Sequence, residues 1–391
     1  MQQRAADGNK KILGIENAPL LVHELELYHD RIWVLNELIN TNRLAEAQAM
    51  QSEMAIILDL PFEKELYFLY IIAEVWLLIS EFNFPAAEEK LVAIEALLDN
   101  VSNKALNLYH HKKGYLYATS GDYHNCLKHS LRALDYIGEN ESDVNSLWNI
   151  CMSYNTLGKP YNAIIYLERA KNAYKGGLVN TGAARIKSLL AVCYILVHEY
   201  DKAKEMFDAS MAQAKSLNDD WTVMVISGNL ADLNRKIGNY NECIQLCEQA
   251  LRLDKTKESS ANILVIKALC LLEMKEFDRC QEALDHAKDI MQNEEKNNPI
   301  RPAADTSNLT HMFDSIGHLM TLDNNESATY IENVAIPHLR VGGLAKFDAL
   351  YLCEKLEAHY KKKKSRMKAL TMAAIARDIY KEIFLSALIE N

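Results

Sequence analysis

"NLADLNRKIGNYNECIQLCEQAL", residues 229–251, decides the fold. Two short amphipathic stretches flank a Gly238-Asn239-Tyr240 turn, and small residues stand at fixed offsets: Ala231 before the turn, Cys243 after it and Ala250 seven positions later. The same pattern recurs upstream in "HHKKGYLYATSGDYHNCLKHSLRAL" from His110, in "LWNICMSYNTLGKPYNAIIYLERAK" from Leu147 and in "LLAVCYILVHEYDKAKEMFDASM" from Leu189. In each, a small residue (Gly114, Cys151, Ala191, Ala231) is followed three positions later by Tyr117, Tyr154, Tyr194 or Asn234, and then by a turn. Beyond the turn, Cys126, Ala163, Ala203 and Cys243 take the second small position, with Ala133, Ala170, Ser210 and Ala250 seven later. Small residues where two helices cross, with an aromatic plug and a Gly-Asp/Asn-Tyr turn, are the tetratricopeptide signature.

The second small position also falls at Ala47, Ala87 and Cys280, so the step is roughly forty residues rather than the thirty-four of the minimal repeat, and the helices are longer than minimal. "YKKKKSRMKALTMAAIARDIY", from Tyr360, fits a last hairpin with Ala369 and Ala376 at those positions, and the gap from Cys280 leaves room for one degenerate repeat. These spacings predict an all-α chain of about eight or nine helical hairpins, stacked as a right-handed superhelix with a concave groove. Residues 1–100 would form an N-terminal helical region and 101–391 the repeat array. The two prolines in "QNEEKNNPIRPAADT", from Gln292, predict a break, and Gly176-Gly177 and Gly342-Gly343 mark shorter connections.

With 391 residues and 49% hydrophobic content, the chain can bury a large core. A net charge of −10 argues against a nucleic-acid surface spread over the whole molecule and favours protein or peptide partners. No positively charged segment followed by an apolar stretch opens the chain, so the expected compartment is the cytoplasm. The longest apolar run, "LYFLYIIAEVWLLI" from Leu66, is interrupted by Glu74 and too short to span a bilayer; it reads as a buried helix, with no membrane partner. The eight cysteines show no CxxC pair and no histidine at zinc-finger spacing, and several take the small positions of the repeat, so they read as packed, reduced thiols and neither metal nor cofactor is called for.

The first helix of each hairpin lines the concave face in such arrays. Counting along the repeat places Tyr115, Asn145, Trp148, Asn155, Arg185, Asn229, Asp232 and Arg235 on or near it. A carboxamide donates and accepts at once, which suits inward asparagines to an extended peptide backbone, while Arg185 and Arg235 could hold a carboxylate by forked hydrogen bonds. Catalytic signatures are missing: there is no HExxH, no phosphate loop, no GxSxG and no GxGxxG opening a helix. His110, His111, His124 and His129 lack the spacing of one ligand face and are expected at the surface, and the Lys361–Lys364 run with Arg366 is expected as a solvated turn.

From about Ile32 to Phe384 the sequence resembles the Rap-type receptors of Gram-positive bacteria, within the wider Rap, NprR and PlcR-like group of cytoplasmic tetratricopeptide regulators of peptide quorum sensing. The clearest stretch runs from Arg185 to Leu251, with its long helices, its "AKSLNDD" joint and the asparagine that follows in the next helix; "YIENVAIPHLRVGGLAKFDALYLCEKLEAHYKKKKSRMKALTMAAIARDIYKEIF" has the family's layout as well. The resemblance implies a short, mostly hydrophobic signalling peptide held in the groove, with Asn229 matching one of the family's asparagine contacts. It further implies that peptide binding compacts the superhelix and moves N-terminal helices, here Arg31 to Leu98, that grip a response regulator or transcription factor, and it leaves room for a homodimer. Two departures shape the expectation. Phosphatase members carry a glutamine in the joint before an N-terminal helix, and no glutamine occurs from Ala55 to Leu106, where the matching stretch is "DLPFEKELYFLY"; a phosphatase would need a displaced residue such as Gln48 or Gln51. Relatives that bind DNA begin with a helix-turn-helix domain, and only about twenty residues precede the first periodic helix here, so direct DNA reading is not expected. A non-enzymatic regulator is the leading expectation, with a phosphatase or a plain scaffold that docks a protein tail as alternatives.

Overall fold

The computed structural model describes residues 22–40, 43–55, 63–137, 143–173, 181–254, 259–297 and 303–389. They form nineteen α-helices, which pair as hairpins. In chain order the pairs are α1 (Val22–Asn40) with α2 (Leu44–Met54), α3 (Lys64–Ser80) with α4 (Phe84–Ala93), α5 (Asn103–Thr119) with α6 (Tyr123–Leu134), and α7 (Val144–Thr156) with α8 (Pro160–Ala173). Then come α9 (Thr181–Leu196) with α10 (Tyr200–Ser216), α11 (Asp220–Lys236) with α12 (Tyr240–Leu253), and α13 (Ser260–Glu273) with α14 (Phe277–Asn297). The degenerate repeat is α15 (Ala303–Met320) against a broken arm, α16 (Asn325–Tyr330), a π-helical turn Ile331–Ala335 and α17 (Ile336–Val341). Pro337, in the first turn of α17, lacks the N–H that would continue the ladder, and the wide turn precedes it. The last hairpin is α18 (Ala345–Lys362) with α19 (Arg366–Ile389).

The repeat pattern works through two contacts. Ala47, Ala87, Cys126, Ala163, Ala203, Cys243 and Cys280 are all 0% exposed, which is what a seam of close helix crossings requires. At Gly114 the helices approach closely: an added Cβ would stand 2.6 Å from Ser130 Oγ and 3.2 Å from the Cys126 carbonyl. At the turns, Gly121, Gly158 and Gly238 have φ of 79°, 72° and 85°, in the left-handed region that glycine enters at no steric cost. The next residue's N–H then donates back to a carbonyl in the last helical turn: Asp122 to Tyr117 at 2.9 Å, Lys159 to Tyr154 at 2.8 Å and Asn239 to Asn234 at 2.8 Å. The recurring Tyr/Asn position is thus also the acceptor that closes each turn. Glu199 does the same to Tyr194 at 2.9 Å although His198 replaces the glycine.

The chain divides into two compact units, residues 1–146 and 147–391. In the first, α3 is the buried helix its apolar run predicts. Its buried carboxylate, Glu74, is 7% exposed and is satisfied by Lys90 Nζ at 2.6 Å and Gln51 Nε2 at 2.5 Å. The second unit stacks its hairpins around cores that include Phe207, Phe313 and Leu356, all at most 1% exposed.

One expectation needs correction, that for the histidines; the break expected in the stretch from Gln292 to Thr306 is present, with α14 ending at Asn297 and α15 starting at Ala303. Residues 298–302, and the Gly176-Gly177 connection, lie outside the described residues. The histidines are not all at the surface. His110 and His111 are buried, His129 is half-buried and only His124 is exposed. His110 stacks on Tyr136 at 5.6 Å and its Nδ1 lies 2.9 Å from that of His129, so burial and mutual repulsion hold the His110 pKa down to about 4; burial does the same for His129. All eight cysteines are free and buried. Among the described residues no helix is long and apolar enough to cross a membrane, and no cluster of His, Cys, Asp or Glu could hold a metal ion.

Candidate functional site

The site is best read along α11. On its packed faces Thr222, Val223, Met224, Ile226, Ser227, Ala231, Leu233 and Asn234 are buried. Among the residues that keep exposure, Trp221, Val225, Asn229, Asp232 and Lys236 repeat at steps of three or four and so form one stripe. On α9 the corresponding stripe is Arg185, Val192 and Leu196, with the buried Leu189 in line between the first two; on α13 it is Asn262, Ile266 and Glu273; and on α7 it runs through Trp148, Met152 and Thr156. These stripes form one wall of the second unit. Polar and aromatic groups mark the N-terminal ends of the helices, an apolar belt crosses the middle, and charges gather at the C-terminal ends.

At the N-terminal end the "NDD" joint sets the geometry. Asn218 takes φ 51°, a conformation asparagine tolerates, and Asp219 then caps α11, accepting from Thr222 N at 3.0 Å and Thr222 Oγ1 at 2.6 Å. Arg185 reaches over from α9. Its guanidinium lies 4.5 Å from the centre of the Trp221 ring, its Nε donates to Thr222 Oγ1 at 3.3 Å, and the nearest Asp219 oxygen is 4.0 Å away. The side chain is 43% exposed and its fork is not filled by any carboxylate.

Asn229 stands at the centre of the belt, between Val225 and Asp232. It is half-buried, and among the described residues its amide makes no hydrogen bond.

The C-terminal end is closed. Arg235 forks onto Asp232, with Nε at 2.9 Å and Nη2 at 2.7 Å from one carboxylate oxygen, and lies 5.7 Å over Tyr351 of α18. Tyr351 Oη donates to Glu273 Oε1 at 2.9 Å, and Lys355 pairs with the same carboxylate. One turn before Tyr351, Asp348 faces the cluster with no hydrogen bond of its own; burial, with Asp232 nearby, pushes its pKa up to about 6 against the pull of Lys236 and Arg235. A second contact joins the same ends of the wall. Leu344 N donates to the Thr156 carbonyl at 3.1 Å, and an added Cβ at Gly343 would fall 1.9 Å from that oxygen. Gly158, at φ 72°, faces the Gly343 carbonyl in turn, and Tyr161 meets Phe384 edge-on at 5.5 Å. The turn between α17 and α18 therefore clasps the turn between α7 and α8, backbone against backbone.

The sequence-derived residues divide accordingly. Trp148, Arg185, Asn229 and Asp232 lie on this wall, and Arg235 stands at its closed end. Asn155 is 6% exposed and accepts a weak hydrogen bond from Cys193 Sγ at 3.6 Å between α7 and α9, so it is a packing residue. Tyr115 and Asn145 belong to the first unit: Tyr115 packs edge-on against Trp76 at 5.2 Å, and Asn145 is exposed in the capping turn of Asp143. Sequence reasoning missed Asp348, Tyr351 and the clasp. Gly342-Gly343 was visible as a connection, but nothing local tells what it touches.

The comparisons agree with this architecture. The tetratricopeptide repeat family model matches residues 182–256, the segment that supplies α9 to α12. No curated protein matches the chain in sequence. Among solved structures, a Rap protein complexed with competence and sporulation factor is similar at a TM-score of 0.73 and 15% identity, over 92% of this chain and 99% of that one. The apo form of the quorum sensor NprR from B. thuringiensis is similar at 0.70 and 16%, over 91% and 99%. Aspartyl phosphate phosphatase F from Bacillus subtilis is similar at 0.58 and 14%, over 90% and 94%. At such identities the likeness is one of fold: the chain has the Rap-type tetratricopeptide fold.

Proposed function

We propose that the protein is a peptide-responsive, non-enzymatic cytoplasmic regulator, which binds a short, mostly apolar signalling peptide along the wall of α7, α9, α11 and α13 and controls a response regulator or transcription factor by direct contact. The observation that carries this reading is Asn229: an amide with no partner of its own, set in an apolar belt where it can donate to and accept from a peptide backbone at once. Val192, Val225 and Ile266 offer the side-chain contacts, and Arg185, stacked on Trp221 with its fork open, suits a peptide carboxylate. A similar fold holds competence and sporulation factor in the Rap complex, which supports a peptide as the class of ligand.

Control follows from population shift. A peptide that touches α9, α11 and α13 together favours the arrangement in which the Gly343 clasp and the Arg235–Tyr351 contact are made, by as much as its affinity differs between closed and open forms. The partner surface falls to the first unit. There Leu27 and Val34 of α1 are each 44% exposed, and Phe82 is 67% exposed at φ 60°, a conformation that costs a residue with a Cβ about 1–2 kcal/mol.

A phosphatase reading would pass the attacking water by Gln48 or Gln51. Both amides are engaged: Gln51 donates to Tyr70 Oη at 3.0 Å and to Glu74, and Gln48 to Glu81 at 2.6 Å. Carboxylates at both positions would also repel an aspartyl phosphate, which favours sequestration over hydrolysis. The test is mass spectrometry of short peptides released from the protein purified out of its own host. A defined apolar peptide, lost in Asn229→Ala, is the expected result; a groove empty in both proteins would favour the scaffold alternative.

A further inference from the structure

The turn between α18 and α19 concentrates positive charge that the molecule pairs only in part. Lys361, Lys362, Lys363, Lys364, Arg366 and Lys368 fall within eight positions of a chain whose net charge is −10, and all six are exposed. Lys361 is paired with Glu357 at 2.5 Å, Lys363 donates to the Asp323 carbonyl at 3.1 Å, and Lys368 lies 5.2 Å over the Tyr360 ring. Lys362, Lys364 and Arg366 have no counter-ion among the described residues.

Two further features separate this turn from an ordinary solvated one. Met367 and Leu370, one helical turn apart on α19, are 75% and 55% exposed, so a large apolar surface stands beside the cations. Between them and α18 lies a hollow of about 450 Å³ lined by Glu357, Lys361, Lys364, Arg366, Ala369 and Leu370. Lys364 itself is held at φ 57°, the position that glycine takes in the turns at Gly121, Gly158 and Gly238. A lysine there costs backbone energy that glycine would spare.

We infer that this turn is a docking site for an acidic segment of a partner protein, one that seats an apolar side chain in the hollow and sets carboxylates against Lys362, Lys364 and Arg366. Charge complementarity names the sign of the partner, and the apolar neighbours name its class. A nucleic-acid backbone would have nothing to place against Met367 and Leu370, which a protein segment covers with apolar side chains. A protein segment alternating Asp or Glu with Leu satisfies both halves of the site. The site lies on elements other than the Asn229 stripe and stands independently of the peptide reading.

The experiment is fluorescence anisotropy of the full chain with a labelled, helix-forming peptide that alternates Asp/Glu and Leu, beside a labelled DNA duplex and vesicles containing phosphatidylserine. The acidic peptide should bind most tightly of the three and weaken as salt rises. Its affinity should fall about tenfold in Lys362→Glu/Lys364→Glu/Arg366→Glu, as expected for three exposed ion pairs, and several-fold in Leu370→Ser. All these positions are exposed, so thermal melts should be unchanged, and Asn229→Ala should bind the probe like wild type. The inference is overturned if the peptide does not bind, if the charge reversal leaves its affinity unchanged, or if DNA or vesicles bind more tightly and respond to the same variants.

Discussion

Arg185 and Arg235 stand at opposite ends of one wall and do different work. Arg185 is 43% exposed, stacked on Trp221, and 4.0 Å from its nearest carboxylate; Arg235 is 11% exposed and forked onto Asp232 at 2.7 Å beneath Tyr351. The sequence offers both as carboxylate holders. The structure leaves that role open to Arg185 only, because the fork of Arg235 is already filled from within its own helix and committed to closing the wall against α18. The difference teaches that a charged residue on a groove-facing stripe is available to a ligand only where the fold has not provided its partner.

The sharpest way to break this comparison is to remove the guanidinium at each end. Arg235→Ala should leave Asp232 facing Asp348 with only Lys236 to offset their repulsion and destabilise the second unit by about 3 kcal/mol, read from a urea melt, with much of the loss restored when Asp232 is replaced by Asn as well. Arg185→Ala removes a cation–π contact and a long hydrogen bond, so its effect on the same melt should stay near 0.5 kcal/mol while peptide affinity falls. Equal stability losses at the two sites would contradict the division.

The closed end can also be tested without touching charge. Gly343→Val forces a side chain into the Thr156 carbonyl, and the overpacking should cost about 1–3 kcal/mol while opening the clasp, seen as faster amide exchange in α8 and α18. Gly238→Ala is the matching control: its Cβ would meet nothing, leaving only the penalty of φ 85°, and α18 should keep its protection.

Protons should act in opposite senses on two parts of the chain. The raised pKa of Asp348 means that the folded state binds this proton more tightly than the unfolded one, so its contribution is fully present below the ordinary value of 3.8 and is lost as pH rises through about 6. His110 and His129, lowered from 6.5 to about 4, contribute stability that is present above 6.5 and lost as pH falls through 4. Asp348→Asn should therefore stabilise the second unit at neutral pH and flatten its profile between 4 and 6, leaving the acid sensitivity of the first unit in place; a melt unaffected by this substitution would show that Asp348 is solvated.

How much of this was legible in the sequence follows from distance along the chain. Ala163, Ala203 and Cys243 announce the hairpin seams because helix crossing is local and periodic, and the "NDD" joint announces a cap because Asp219 bonds three residues ahead. Asn229 and Arg185 were placed by the same counting. Asp348 and Tyr351 were not, since they meet Arg235 across more than a hundred residues of chain and no period links them. The buried histidines failed for a related reason: His110 is satisfied by His129 on the next helix and by Tyr136 just beyond its end, and polarity alone suggested solvent.

The central claim is that a peptide on the Asn229 stripe shifts the molecule toward its closed form. Small-angle scattering of the full chain, with and without the peptide released from host-purified protein, tests it most directly. The account predicts a smaller radius of gyration on saturation in the wild type and none of that change in Asn229→Ala; a wild-type radius that stays constant at saturation would contradict it.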